Sequence, residues 1–279
     1  MNHKKPKRIG VVITTYNSPE WLHKVLVGYE CQTDKDFKVL IADDGSSEKT
    51  QEVLDLFKAR GSLNLEHYWH EDKGFRKTII LNKVIAETDC DYLIFTDGDC
   101  IARDDFIATH RAESSPGMFL SGGYVKLTMP VSLGLTDEHI QNQSVFTKQW
   151  LIHEGQPNSV KLMKLTRSKT AVQLLNLLTP TRATWNGMNS SGWRHDILSV
   201  NGFDERMQYG GLDRELGERL WNKGIKSKQI RYSAICLHLD HPRGYSKPEI
   251  WQFNNALREK VKREGISWTD FGIIKKNEP

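Results

Sequence analysis

Three groups of side chains in this 279-residue chain have types and spacings that could do chemistry. Asp97 and Asp99 flank Gly98 at the end of the apolar run Tyr92-Leu93-Ile94-Phe95. On extended backbone, side chains two residues apart point the same way, so both carboxylates can face one ligand. Gly98 lets a bulky group come close to the main chain between them. Hard oxygen ligands of this kind suit Mg2+ or Mn2+ shared with a phosphate group. Asp-Gly is equally a strong turn signal, and the tripeptide alone does not decide between the two. The second group is Tyr209-Gly210-Gly211-Leu212-Asp213-Arg214-Glu215. Leu212, Leu216 and Leu220 form one apolar helix stripe, which puts Asp213 in the first turn behind glycines that admit a substrate near the backbone. A carboxylate there can also do no more than complement the helix dipole. The third group is His238 and His241, at the end of a strand-like stretch from Tyr232. Either they are structural, or they are nitrogen ligands, which suit Mn2+ better than Mg2+.

Arg76 and Lys77 begin a helix-like segment, where basic side chains and the helix N-terminus could meet a diphosphate or simply form a solvated turn. Trp185 and Trp193 lie in the turn-rich stretch Trp185–Arg194. Indole faces stack on sugar rings and equally fill cores.

The elements that must hold these groups follow from periodicity. Ile9–Ile13, Phe37–Ala42, Leu63–Trp69 and the run before Asp97 read as strands. Helices are predicted after Ser18, an expected N-cap with Pro19 at N1, over Lys49–Ala59 before Gly61, and over Thr78–Ala86. Strand-helix alternation of this kind predicts an α/β fold with a parallel, doubly wound sheet, whose ligands bind at the C-terminal strand ends. A further helix is expected over Phe106–Ala112, and a strand pair or bulged strand over Met118–Leu127. Residues 131–181 hold two helix-like patches, Asp137–Gln149 and Ser159–Leu178, and no motif. From Lys247 the tail reads as one helix that either packs on the body or, with the basic N-terminus, touches an anionic membrane surface. The division expected is a nucleotide-binding half over 1–127, an acceptor-binding half over 128–245 and a tail over 246–279.

Composition narrows the classes. A net charge of +4 with interspersed acids and bases argues against a nucleic-acid binder. Cys31, Cys90, Cys100 and Cys236 form no CxxC pair, so reduced cytosolic thiols are expected rather than zinc or disulfides. No stretch reaches the roughly 18 apolar residues of a membrane span. Neither a Gly-x-Gly-x-x-Gly fingerprint nor a P-loop is present, so phosphate must be met by a metal and basic side chains.

Taken together, Val11-Val12-Ile13-Thr14-Thr15-Tyr16-Asn17, Ala42-Asp43-Asp44-Gly45-Ser46, Asp72-Lys73-Gly74-Phe75-Arg76 with Asn82, and Phe95-Thr96-Asp97-Gly98-Asp99 resemble the family 2 glycosyltransferases in order and spacing across about the first 110 residues. The Gly210-Gly211-Leu212-Asp213 segment is similar to the C-terminal motif shared with the galactosyltransferase and chondroitin-polymerase type, although Leu212 stands where an acid is frequent. The resemblance implies a GT-A fold, a UDP-sugar donor and Mn2+ or Mg2+. It implies nucleobase contacts from Thr14, Tyr16 and Asp44, with Arg76 and Asp97 also on the nucleotide. It places the metal on Asp97, Asp99 and His238, with His241 the alternative to His238. Asp213 would be the base of an inverting transfer, with Glu215 as a secondary acid. The sugar-binding set expected is Trp185, Asn189, Trp193, Tyr209, Gly211 and Glu215. The role implied is transfer to a saccharide or glycolipid in bacterial polysaccharide or lipopolysaccharide synthesis, and the presence of one DxD and one base motif points to single-residue addition. The place implied is the cytoplasm, either free or peripheral at the inner face of the plasma membrane. Two other classes compete. A sugar-phosphate nucleotidyltransferase would want a glycine-rich, arginine-containing loop after the first strand, which Thr14–Ser18 lacks. A non-catalytic sugar-binding protein would leave both acidic sites idle.

Overall fold

The computed structural model describes residues 5–242 and 248–275. Its first half alternates β1 (Ile9–Thr15), α1 (Pro19–Glu30), β2 (Phe37–Asp43), α2 (Glu48–Arg60), β3 (Leu65–Trp69), α3 (Lys77–Glu87) and β4 (Tyr92–Asp97). The strands pair in parallel in the order β3-β2-β1-β4. Consecutive side chains of β1 serve opposite faces. Val11 and Ile13 join Leu22, Leu26 and Phe57 in one core, while Val12 joins Ile80, Val84 and Phe95 in the other. Covering both faces is why these strands read as unbroken apolar runs. Gly61, with φ of 66°, ends α2 as expected. Ser18 precedes α1 without capping it through its side chain; its hydroxyl donates to the Tyr16 carbonyl instead.

Beyond β4 the expectation of a parallel sheet needs correcting. The chain continues through β5 (Cys100–Ala102), α4 (Phe106–Glu113), β6 (Met118–Lys126), then α5 (Met129–Gly134), α6 (Asp137–Gln141), α7 (Lys148–His153) and α8 (Lys169–Leu178). It closes with β7 (Ser190–Trp193), α9 (Arg194–Leu198), α10 (Leu212–Asn222), β8 (Lys226–His238) and α11 (Pro248–Glu264). The full sheet has eight strands in the order β3-β2-β1-β4-β7-β6-β8-β5. β7 runs antiparallel to β4 and β6, and β5 antiparallel to β8. The stretch read as a turn thus supplies a buried central strand, because its small residues Ser190, Ser191 and Gly192 let it slot between two neighbours.

The two long helical patches expected in 131–181 are broken into short pieces. Gln143 adopts a left-handed φ of 61°, and the Thr147 hydroxyl caps a new helix by accepting from the Trp150 amide. The tail helix α11 packs on α10. Asn254 donates to the carbonyls of Gln208, Tyr209 and Gly210, and Arg258 pairs with Glu218 at 2.6 Å. After Glu264 the chain is no longer helical; it returns to Asn201, which donates to the Thr269 and Ile274 carbonyls. Among the described residues no helix is long and apolar enough to cross a membrane.

Candidate functional site

The C-terminal ends of β1, β2 and β4 open into a cleft of about 740 Å³, whose walls include Thr14, Tyr16, Asp44, Lys77, Asp97 and Asp99 from the first half and Tyr209, Gly211, Asp213 and His238 from the second. Gly98 is what lets β4 turn there. Its amide donates to the Thr14 carbonyl at 2.7 Å, and a Cβ would sit 2.9 Å from that oxygen. The missing side chain thus accommodates β1 rather than a ligand.

Asp97 Oδ1 accepts from Thr14 Oγ1 at 2.7 Å and from Lys77 Nζ at 2.6 Å. Burial alone would raise the Asp97 pKa, but the charge and hydrogen bond of Lys77, with the Thr14 hydroxyl, hold it below the ordinary carboxylate value. The Lys77 ammonium is opposed by burial and held charged by Asp97, Asp213 and Asp99. All three acids therefore share one lysine.

Asp99 Oδ2 lies 3.1 Å from His241 Nε2 and 3.9 Å from His238 Nε2, and the two imidazoles stack at 5.5 Å. Ligand atoms of Asp99, Cys100 and His238 all fall within 4.8 Å of one another. Burial pushes the Cys100 thiol pKa well up, so the sulfur stays protonated and the hard donors are the carboxylate and imidazoles. His238 Nδ1 is buried with no hydrogen-bond partner. One carboxylate and two imidazoles converging at a strand end form a donor set that fits Mn2+.

Asp213 sits one residue into α10, behind Gly211, whose φ of 83° only glycine adopts readily. Across the cleft Gly187 leaves room for the carboxylate; a Cβ there would lie 2.7 Å from Asp213 Oδ1. Burial is the main cause that raises the Asp213 pKa to about 6, with Asp97 adding to it and Lys77 opposing. Backbone N–H groups of Gly187 and of Asp213 itself also oppose the rise, and Oδ1 is buried without a hydrogen-bond partner. Glu215 is different. It is fully buried and bound in bidentate fashion by Arg219 at 2.6 and 2.8 Å, so it is a structural ion pair and not a second acid of the site.

Asp44 accepts from the Arg76 amide at 3.0 Å and lies 2.7 Å from His70 Nε2, each bond using a different oxygen. Tyr16, half exposed on the cleft rim, donates to Asp72 at 2.8 Å. The Arg76 side chain does not join the cleft lining; its guanidinium reaches back to the Glu71 carbonyl while Lys77, one residue on, points inward.

Three expected sugar contacts are corrected. Trp185 is fully buried between Phe95 and Phe119, with ring centroids at 5.4 Å from each. Trp193 pairs with Tyr92, at the opposite end of β4 from Asp97, and donates to the Ser115 carbonyl. Asn189 is buried and donates to the Gly123 and Ala234 carbonyls. Tyr209 and Gly211 do reach the cleft, together with Trp251 from α11, whose ring lies 6.2 Å from that of Tyr209. Nothing in the sequence marked Trp251 or His70. Arg76 and Lys77 were both expected near a diphosphate, and the turn of the helix decides that Lys77 faces the acids.

Residues 10–112 match the family model described as Glycosyl transferase family 2. Over 261 residues the chain is 26% identical to an uncharacterised glycosyltransferase of Bacillus subtilis, covering 84% of this chain and 65% of that protein. It is 22% identical to chondroitin synthase of Escherichia coli over 244 residues, covering 84% of this chain and 35% of that one. The chain thus spans between about a third and two thirds of the length of these relatives. The structure of GalNAc-T7 with UDP, GalNAc and Mn2+ superposes with a TM-score of 0.62 at 16% identity, covering 93% of this chain and 48% of that one.

Proposed function

The chain carries a family 2 glycosyltransferase domain on a GT-A fold, and from that premise we propose that it is an inverting, metal-dependent glycosyltransferase that moves a sugar from UDP to a saccharide or glycolipid acceptor. The observation that carries this reading is the convergence of Asp97, Asp99, His238, Lys77 and Asp213 on one cleft, although they come from five separate elements or loops. The likeness to glycosyltransferases of bacteria supports a place in surface polysaccharide or lipopolysaccharide synthesis.

In this reading Tyr16 and Asp44 flank the uracil, and Asp44 keeps lone pairs beyond those used by His70 and Arg76 for its N3–H. Asp99, His238 and His241 would hold Mn2+, with Asp97 at its side, and the ion would offset charge that grows on the diphosphate as it leaves. Lys77 adds a fixed positive charge beside the same leaving group. The acceptor hydroxyl attacks the anomeric carbon from the face opposite UDP. Its proton passes to Asp213, the new C–O bond forms, and the bond to the diphosphate oxygen breaks, releasing UDP. A carboxylate with a pKa near 6 is a better base than an ordinary aspartate, and such proton transfer contributes about 10²–10⁴ in rate.

The test is calorimetric binding of UDP with and without Mn2+, followed by a screen of UDP-sugars for release of UDP. UDP binding that strengthens at least tenfold with Mn2+ is the expected result. Absence of UDP binding in both conditions overturns the reading.

A further inference from the structure

A second cleft of about 390 Å³ adjoins the first and shares Asp97 and Asp213 with it. Lys164, Arg182, Arg214 and Arg231 line it, and its only acids among the described residues are Asp97 and Asp213, both shared with the chemistry. Three of the four cations are held by neutral groups. Lys164 Nζ donates to the Tyr124 carbonyl at 2.8 Å and lies 5.2 Å from its ring centroid. Arg231 donates to Thr181 Oγ1 at 2.9 Å, and the Arg182 guanidinium stacks 3.6 Å from the Trp221 ring. Lys77, in the larger cleft, has a carboxylate partner in Asp97. Burial lowers the Lys164 pKa, and Arg231 and Lys161 push it the same way, so this corner repels its own charge.

The backbone is shaped to produce that corner. β6 and β8 pair in register up to Gly122 with Ile230, and resume at Gly123 with Ile235, so Arg231–Ala234 bulge out of the sheet. A Cβ at Gly123 would collide with the Arg231 carbonyl. Asn176 of α8 pins the bulge by donating to Ser233 Oγ at 2.9 Å and accepting from the Tyr232 amide at 3.1 Å. Bulges beside sites re-aim a side chain, and here the re-aimed residue is Arg231.

We infer that the acceptor carries an anionic group, a phosphate or a carboxylate, and that Lys164 and Arg231, flanked by Arg182 and Arg214, hold it while the acceptor hydroxyl faces Asp213. The inference rests on the transferase reading and specifies its second substrate. Donor phosphates do not account for the cluster, because Lys164, Arg182 and Arg231 line only the second cleft, whereas Lys77 and the Asp99 site line the first. Guanidinium forks accept either anion in bidentate geometry.

The experiment saturates the full chain with UDP and Mn2+ and then titrates methyl glucoside, methyl glucoside 6-phosphate and methyl glucuronide. At least one charged glycoside is expected to bind tenfold or more tightly than the neutral one, with an advantage that shrinks as salt rises. Which of the two wins distinguishes a phosphorylated from a uronic acceptor. Arg231→Gln and Lys164→Gln should cut the advantage below threefold with UDP affinity unchanged, which also shows that the variants are folded. Charged glycosides that bind no better than the neutral one, or an advantage that survives both variants, overturns the inference. Failure of the wild-type protein to bind UDP, seen before any sugar is added, overturns the transferase reading itself.

Discussion

The two clefts that meet at Asp213 treat charge in opposite ways. In the larger one three of the four acids are answered, Asp44 by His70, Asp97 by Lys77 and Asp99 by His241, and only Asp213 is left. In the smaller one the cations outnumber the acids and lean on a carbonyl, a hydroxyl and an aromatic ring. A compensated site is charged and ordered before its ligand arrives, which suits a metal and a diphosphate that must be met in fixed geometry. An uncompensated site costs stability until an opposite charge binds, which suits selection of one partner over neutral competitors. Asp213 belongs to both, and its pKa near 6 is the point of contact between them.

The largest effect is expected at that shared residue. Asp213→Asn should lower transfer by about 10²–10⁴ while UDP still binds, as measured by product formation beside calorimetry. Transfer at near wild-type rate would remove Asp213 from the role of base. On the compensated side, Asp99→Ala should weaken Mn2+-supported UDP binding on the order of a hundredfold and leave metal-free binding little changed. A metal response that survives this change would place the ion elsewhere.

The pH profile sharpens the comparison next. Asp213 accepts a proton only when ionised, so kcat/KM should fall about tenfold per unit as pH drops below about 6, and Asp213→Asn should flatten that limb. The stability effect has the opposite sign. A folded pKa above the unfolded value of 3.8 stabilises the native state fully below pH 3.8, and that contribution is lost as pH rises through about 6. Asp213→Asn should therefore raise the melting temperature at pH 8, by no more than about 3 kcal/mol in stability, with the gain vanishing near pH 4. An equal gain at both pH values would mean that burial of charge is not its cause. The smallest effect on function belongs to a residue outside both clefts. Trp193→Phe should leave acceptor KM within twofold and lower the melting temperature by a few degrees, through loss of the Ser115 hydrogen bond and some packing. A tenfold rise in acceptor KM would bring Trp193 back to the sugar site.

How far each cleft could be read in the sequence follows from how it is built. The larger cleft is assembled at strand ends, and a strand that stops in Asp97-Gly98-Asp99 or Asp43-Asp44-Gly45 announces both its burial and its polar terminus within a few residues. Asp213 was visible for a similar reason, since paired glycines before a leucine stripe mark a helix start. Trp185 and Trp193 misled because indole chemistry suits a sugar face and a core equally, and only the placement of β7 between β4 and β6 settles which. Glu215 misled likewise. Its i, i+4 spacing to Arg219 was present in the chain, but full burial is what makes the pair structural.

Local sequence by itself determined the βαβ elements of the first half, the carboxylates at their C-terminal ends and the first-turn position of Asp213, because each depends on neighbours a few residues apart. Tertiary structure alone decided the rest. It reversed β5 and β7, turned Lys77 rather than Arg76 toward the acids, and brought His238 and His241 to Asp99 from about 140 positions away. It also gathered Lys164, Arg182 and Arg231, which share no spacing or motif, around one bulge. The physical reason is the reach of the forces concerned. Periodicity and capping act along the chain, whereas charge compensation and burial act through space, and strand order is what converts one into the other.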